Sequence, residues 1–183
     1  MKRIYNKAYE MLESIINKIS SYNIFNYLFS GIIFVVLIKY LDNINLYLDF
    51  SILYLNVINL FILYFIGLTI SRVGSLIIEP FYRKYIIKFA DYSDFIKVEK
   101  IDKKLNILFE QNNIYRTFTS LFLILIVFHF IKKCDLNVCI FLKMSYKEIL
   151  IIFLFILYAI SYYKQTKYIT NRIKYKLEYS DEL

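Results

Sequence analysis

Three glycines, one proline, one histidine, two cysteines and no tryptophan in 183 residues leave little from which active sites are ordinarily built. Gly31, Gly67 and Gly74 are too scattered for a phosphate loop, which needs clustered glycines so that backbone N–H groups can reach the phosphate. The lone His129 sits inside an apolar run and has no second ligand pair, which argues against a metal site. No serine or cysteine has another histidine to activate it, and no span carries a pair of acid or base groups. The chain therefore reads as a non-enzyme without cofactor. Cys134 and Cys139 share the segment KKCDLNVC, where a local disulfide and two unpaired small residues are both open readings. A single proline, Pro80, leaves almost the whole chain free to be helical.

Apolar residues are abundant: 59% of the chain is hydrophobic and the mean hydropathy is +0.50. AT-rich codons favour Ile, Asn, Lys, Tyr and Phe, so arrangement rather than frequency must decide. Four apolar blocks stand out, at residues 22–41, 50–71, 117–131 and 149–163. A spanning helix needs roughly 20 apolar residues. The first two blocks meet that length. The last two reach it when Arg116, Lys132, Lys147 and Lys164 extend their charges to the interface. A soluble bundle is the alternative, but IIFVVLI, LFILYFIGL, LFLILIVF and ILIIFLFIL are apolar on every face, whereas bundle helices keep a polar side.

Charge then orients the spans. The 23 Lys and Arg fall as four before the first block, one (Lys39) near the far end of that block, nine from Arg72 to Arg116, four from Lys132 to Lys147, and five after Tyr163. Four crossings place the groups of four, nine and five on one side, and the positive-inside rule makes that side, with both termini, cytoplasmic. No cleavable signal peptide is expected, because about twenty residues with scattered charges precede the first block. The terminal SDEL resembles an ER-retrieval tail, which a cytoplasmic terminus would leave unread.

The expected architecture is all-α, an integral membrane protein with four transmembrane helices. Residues 1–20 form an amphipathic helix, with Ile4, Ala8, Met11, Leu12, Ile15, Ile16 and Ile19 at helical spacing. Residues 21–71 hold spans one and two. Residues 72–116 form a cytoplasmic helical hairpin, in which Pro80 kinks or ends the helix and Ser93 or Asp94 caps the next. In that next helix Phe95, Val98, Ile101, Leu105 and Leu108 make one apolar face, and Asn112–Asn113 turns the chain toward span three. Residues 117–163 hold spans three and four, and 164–183 form a basic tail.

Two groups of residues are candidates for function. At 100° per residue, Asn56, Asn59, Leu63, Gly67, Ile70 and Gly74 fall within an arc of about 80° on span two. Such a stripe either packs tightly against another helix, with Asn amides bonding across it, or lines a pore with Leu63 or Ile70 as an apolar gate. The second group stands at the cytoplasmic end of that helix. Arg72 and Glu79 are two turns apart, and Arg83, Lys84, Lys88 and Arg116 add charge beside aromatic residues. These groups could couple subunits or receive an anion, and snorkelling with a helix stop explains part of them. The basic, aromatic segments FYRKYIIKF and KQTKYITNRIKYK suit either nucleotide phosphates and bases or a membrane surface.

RVGSLIIEP, YSDFIKVEKIDKKLNIL and NNIYRTFTS together resemble a prokaryotic family of small four-span membrane effectors of anti-phage defence, of the Hailong type, with the Kiwa-type membrane component as a second match. The resemblance covers roughly residues 71–120. It implies an oligomeric inner-membrane channel controlled by a nucleotide or oligonucleotide made by a nucleotidyltransferase partner. The expectation is a homo-oligomeric pore, a tetramer or similar ring in the bacterial inner membrane. The alternative is a non-conducting anchor or sensor that recruits a cytoplasmic partner.

Overall fold

The computed structural model describes residues 21–42, 53–134 and 145–180, and these are almost entirely helical, with no strand among them. The expected helix over 1–20, the pairing of Cys134 with Cys139, the last three residues and the side chain of Asn56 lie outside the described residues. Four helices are long and apolar enough to cross a bilayer, Ile24–Leu41, Val57–Tyr85, Lys104–Lys132 and Tyr146–Glu178, which makes the chain a multi-pass membrane protein. By contacts it divides into two compact units, Met1–Thr69 and Ile70–Leu183.

Within the first unit, helix α1 (residues 21–42) is α-helical at Ser21–Asn23, π-helical over Ile24–Phe29 and α-helical again over Ser30–Asp42. The Ser30 hydroxyl donates to the carbonyls of Asn26 and Tyr27, at 2.7 and 2.9 Å, where the helix returns to α geometry. Helix α2 (residues 53–85) crosses α1 at backbone contact. A Cβ on Gly31 would fall on the Leu63 carbonyl, and one on Gly67 on the Tyr27 carbonyl. Only glycine permits that approach, and in lipid such packing is what holds helices together. Tyr27 and Tyr64 complete the seam edge to face, with ring centres 5.4 Å apart.

The second unit begins in the last turns of α2. The helix is π-helical over Gly74–Ile78 and runs on through Glu79–Tyr85, so the kink or stop expected at Pro80 is not a stop. The Glu79 N–H donates to the Gly74 carbonyl five residues back. A proline ring clashes with the carbonyl four residues earlier, here Leu76, and the wider π turn moves that carbonyl aside.

Three further helices follow: α3 (Tyr92–Ile101), α4 (Lys104–Cys134) and α5 (Tyr146–Ser180). The residue capping α3 is Asp91, in extended conformation, rather than Ser93 or Asp94. The amphipathic run from Phe95 to Leu108 is not one helix. It breaks at Asp102, whose carboxylate accepts from the Lys104 N–H at 3.2 Å and so starts α4. Nor do Asn112 and Asn113 form a turn, because α4 runs straight through them. Asn112 instead accepts from the Thr166 hydroxyl at 3.2 Å, so its side chain is engaged across helices and does not compete with its own backbone.

The largest departure concerns residues 164–180, expected as a tail. They continue α5, whose 35 residues extend about 52 Å against a hydrocarbon core of about 30 Å. The excess packs on α3 and the start of α4. Val98, Leu105, Leu108, Ile169 and Ile173 form a buried cluster with Ala90, Phe95 and Leu177 at its margin. The segment expected as a helical hairpin thus belongs to a three-helix module completed by α5.

One ion pair clamps this module. Arg172 Nε donates to Asp102 Oδ2 at 2.6 Å, and that hydrogen bond holds the Asp102 carboxyl below its ordinary value. A depressed carboxyl stabilises the fold fully above its unfolded pKa, near 4, and that contribution disappears as pH falls through the lower folded value. Hydrogen exchange of α3 amides should therefore accelerate as pH drops below about 4, beyond the intrinsic pH trend. Arg172→Gln should already show the loosened state at neutral pH, by about 1 kcal/mol. Equal α3 protection in the variant and the parent would show that the clamp contributes nothing.

Candidate anion-binding site

The chemistry gathers where the end of α2 meets α4 and α5. Gly74 brings α2 close to α4: a Cβ there would lie 3.3 Å from the Arg116 carbonyl and 3.3 Å from the Ser120 Cβ. Ser120 Oγ donates to the Ile70 carbonyl at 3.0 Å, and Thr117 Oγ1 to Ser71 Oγ at 3.1 Å, which fixes the register of α4 against α2. About two turns beyond Gly74, Tyr82 donates its hydroxyl to the Ala159 carbonyl at 2.9 Å and packs edge to face on Tyr162 at 4.9 Å. Buried Ile78, Tyr82 and Tyr162 thereby anchor α2 to α5.

This register sets Glu79 beside Arg116. The Glu79 carboxylate pairs with the Arg116 guanidinium through one oxygen and with Arg83 Nη2, at 3.3 Å, through the other. Arg116 is the buried partner, its side chain only 13% exposed, whereas Arg83 is 61% exposed with its guanidinium 4.8 Å from the centre of the Phe89 ring. Arg116 Nε is buried and has no hydrogen-bond partner among the described residues. A buried guanidinium N–H without an acceptor costs free energy unless something brings one.

A cavity of about 300 Å³ opens beside this pair, at the low end of the size of small-molecule sites. Glu79, Arg83 and Arg116 supply its charge, Phe89, Phe95, Phe109 and Tyr162 its flat apolar walls, and Asn113, Thr166 and Thr170 further polar groups. An arginine pair can hold an anion, aromatic faces can hold a ring, and short polar side chains can meet hydroxyl or amide groups.

Of the six residues expected to gate or bind, three converge here: Glu79, Arg83 and Arg116. The other three do not. Arg72 is exposed, Lys84 lies over the Tyr85 ring at 5.1 Å, and Lys88 is exposed on the segment after α2. Within the chain Glu79 pairs with Arg116 and Arg83. Sequence reasoning missed Thr166 and Thr170, which fall in the stretch after Tyr163 expected as a basic tail, and Tyr162, which reads as one more apolar residue of span four. Their signal was present, since Tyr162, Thr166, Ile169, Ile173 and Leu177 keep helical spacing past the last apolar block.

The stripe on span two is buried at Asn59, Leu63, Gly67 and Ile70. Around Leu63 and Gly67 it is taken up by the backbone of α1, and at Ile70 by the Ser120 hydroxyl. His129 also has a structural partner: its Nε2 lies 3.1 Å from Glu148 Oε1, while the other Glu148 oxygen accepts from the Ser145 N–H at 3.0 Å and caps α5. No protein-family model, curated protein or solved structure matches this chain, so the site speaks through its own chemistry.

Proposed function

We propose that this protein is a homo-oligomeric pore-forming effector of the bacterial inner membrane, gated from the cytoplasm by an anionic signal of nucleotide type. The observation that carries the reading is the cavity in which Glu79, Arg83 and Arg116 meet aromatic walls directly beneath the end of span two. With both termini cytoplasmic, as the Lys and Arg distribution favours, the cavity faces the cytoplasm, where such a signal would be made. The module of α3, α4 and α5 then serves as the receiving domain, and the π-helical turn joins it to the span. The resemblance to four-span anti-phage effectors supports the same assignment and supplies its setting, permeabilisation of an infected cell.

Asn59, Leu63 and Ile70 remain the candidate lining and gate, with assembly into a tetramer or similar ring turning their face to a shared path. Burial of that face within a single chain favours a second reading, in which span two is a packing seam and the protein is a non-conducting sensor that recruits a cytoplasmic partner. Reconstituted liposomes separate the two. The pore reading expects ion release, lost in Asn59→Leu while the assembly keeps its size on a sizing column. Liposomes that stay sealed, or flux unaltered by Asn59→Leu, would return span two to a purely structural role.

A further inference from the structure

Glu79 occupies the place that an incoming anion would need. Its carboxylate pairs with Arg116, uses Arg83 as a second clamp, and is the only acidic side chain among the described residues lining the cavity. Arg116 Nε is closed to solvent and has no acceptor among the described residues, so Glu79 leaves the guanidinium incompletely satisfied. Arg116 also lines the cavity, where a second anion would compete with Glu79 for the guanidinium.

Resting on the nucleotide-type signal proposed above, we infer that Glu79 is a built-in competitor for the ligand's phosphate, and that the ligand is a nucleoside monophosphate or a single terminal nucleotide of a longer strand. Size sets the upper bound: about 300 Å³ holds one base with its sugar and phosphate and not a chain of them. The ring lies among Phe89, Phe95, Phe109 and Tyr162, and the phosphate takes Arg116 from Glu79. A phosphate carries up to two charges and three acceptor oxygens, so it satisfies the guanidinium more fully than one carboxylate oxygen does. Glu79 is the first residue after the π turn, and its N–H closes that turn onto Gly74. Freeing its side chain therefore releases a restraint at the junction between the receiving module and span two.

The probe is adenosine 5′-monophosphate, titrated calorimetrically into the full-length protein in detergent, with adenosine, ribose 5-phosphate and inorganic phosphate as controls. The parent protein should bind the monophosphate about tenfold or more tightly than any control. Glu79→Gln should tighten the monophosphate by about tenfold and leave adenosine unchanged, because it removes the competitor but not the walls. Glu79→Asp, which keeps the charge and shortens its reach, should shift affinity the same way by less, and it decides the matter if the glutamine variant does not fold. The idea is overturned if folded Glu79→Gln or Glu79→Asp binds the monophosphate no better than the parent, or if neither parent nor variant binds it. Ribose 5-phosphate or inorganic phosphate binding equally well would also overturn it, by showing an anion site, such as one for a lipid headgroup, that ignores the ring. Since these titrations involve no flux, sealed liposomes alongside the expected affinities would remove the pore and leave this site standing.

Discussion

Gly67→Ala should separate the first two spans, at a cost of about 3 kcal/mol or more, although it adds a single methyl group. The new Cβ would fall on the Tyr27 carbonyl, and Gly31→Ala would meet the Leu63 carbonyl in the same way. Both obstacles are backbone, so no rotamer change can relieve them and the helices themselves must move apart. In lipid that separation is costly, because no hydrophobic force pulls the helices back and packing contacts are the main attraction. Gly74→Ala is the matched control. Its Cβ would meet neighbours at 3.3–3.4 Å, a strain of a few tenths of an ångström, which the gain in helix propensity of about 1 kcal/mol roughly offsets. Thermal melting in detergent should rank Gly67→Ala and Gly31→Ala far below Gly74→Ala and the parent. Indistinguishable melting of all three variants would mean that the spans do not cross at these glycines.

Arg116→Gln should be among the most damaging changes in the second unit, by about 2–3 kcal/mol, because it strands the carboxylate of a partly buried pair. Glu79 would retain only Arg83, which is mostly exposed and so contributes little. The neutral double variant, Glu79→Gln with Arg116→Gln, should recover much of the loss, since neither charge is then stranded. A double-mutant cycle on melting free energies measures the coupling directly. Additive effects of the two single changes would show that the pair is incidental. Because Arg116 also holds the proposed phosphate, the single and the double variant alike should fail to bind adenosine 5′-monophosphate. Recovered stability with binding still absent is a pattern that a purely structural arginine would not produce.

Much of the membrane architecture was legible from residue order. Transfer into lipid depends on how many apolar residues follow one another, a property of local sequence that tertiary contacts barely alter. Hence each of the four blocks overlaps one of the four spanning helices, although the second, third and fourth helices run well beyond their blocks. Glu79, Arg83 and Arg116 were identifiable for a related reason, since charge beside an apolar span is costly and asks for a partner. Their companions were not. Lys84 and Lys88 carry the same charge in the same stretch as Arg83, but Lys84 leaves α2 in another direction and Lys88 lies beyond the end of that helix.

The readings that failed all turn on helix register. Asn112 and Asn113 have the composition of a turn, yet a bond from Thr166, 54 residues away in sequence, keeps that segment helical. Pro80 carries the marks of a helix stop, and a π turn upstream absorbs it. The polar stretch after Tyr163 resembles a tail, but its buried face is set by Val98 and Leu105 on other helices. By itself the sequence determined the solvent of this protein, the number of its crossings and the end at which its charge collects, because these follow from free energies summed residue by residue. Only the tertiary structure decided that Glu79 meets Arg116 beside an aromatic cavity, because that meeting depends on the rotation of three helices about their axes, and no local stretch of chain encodes it.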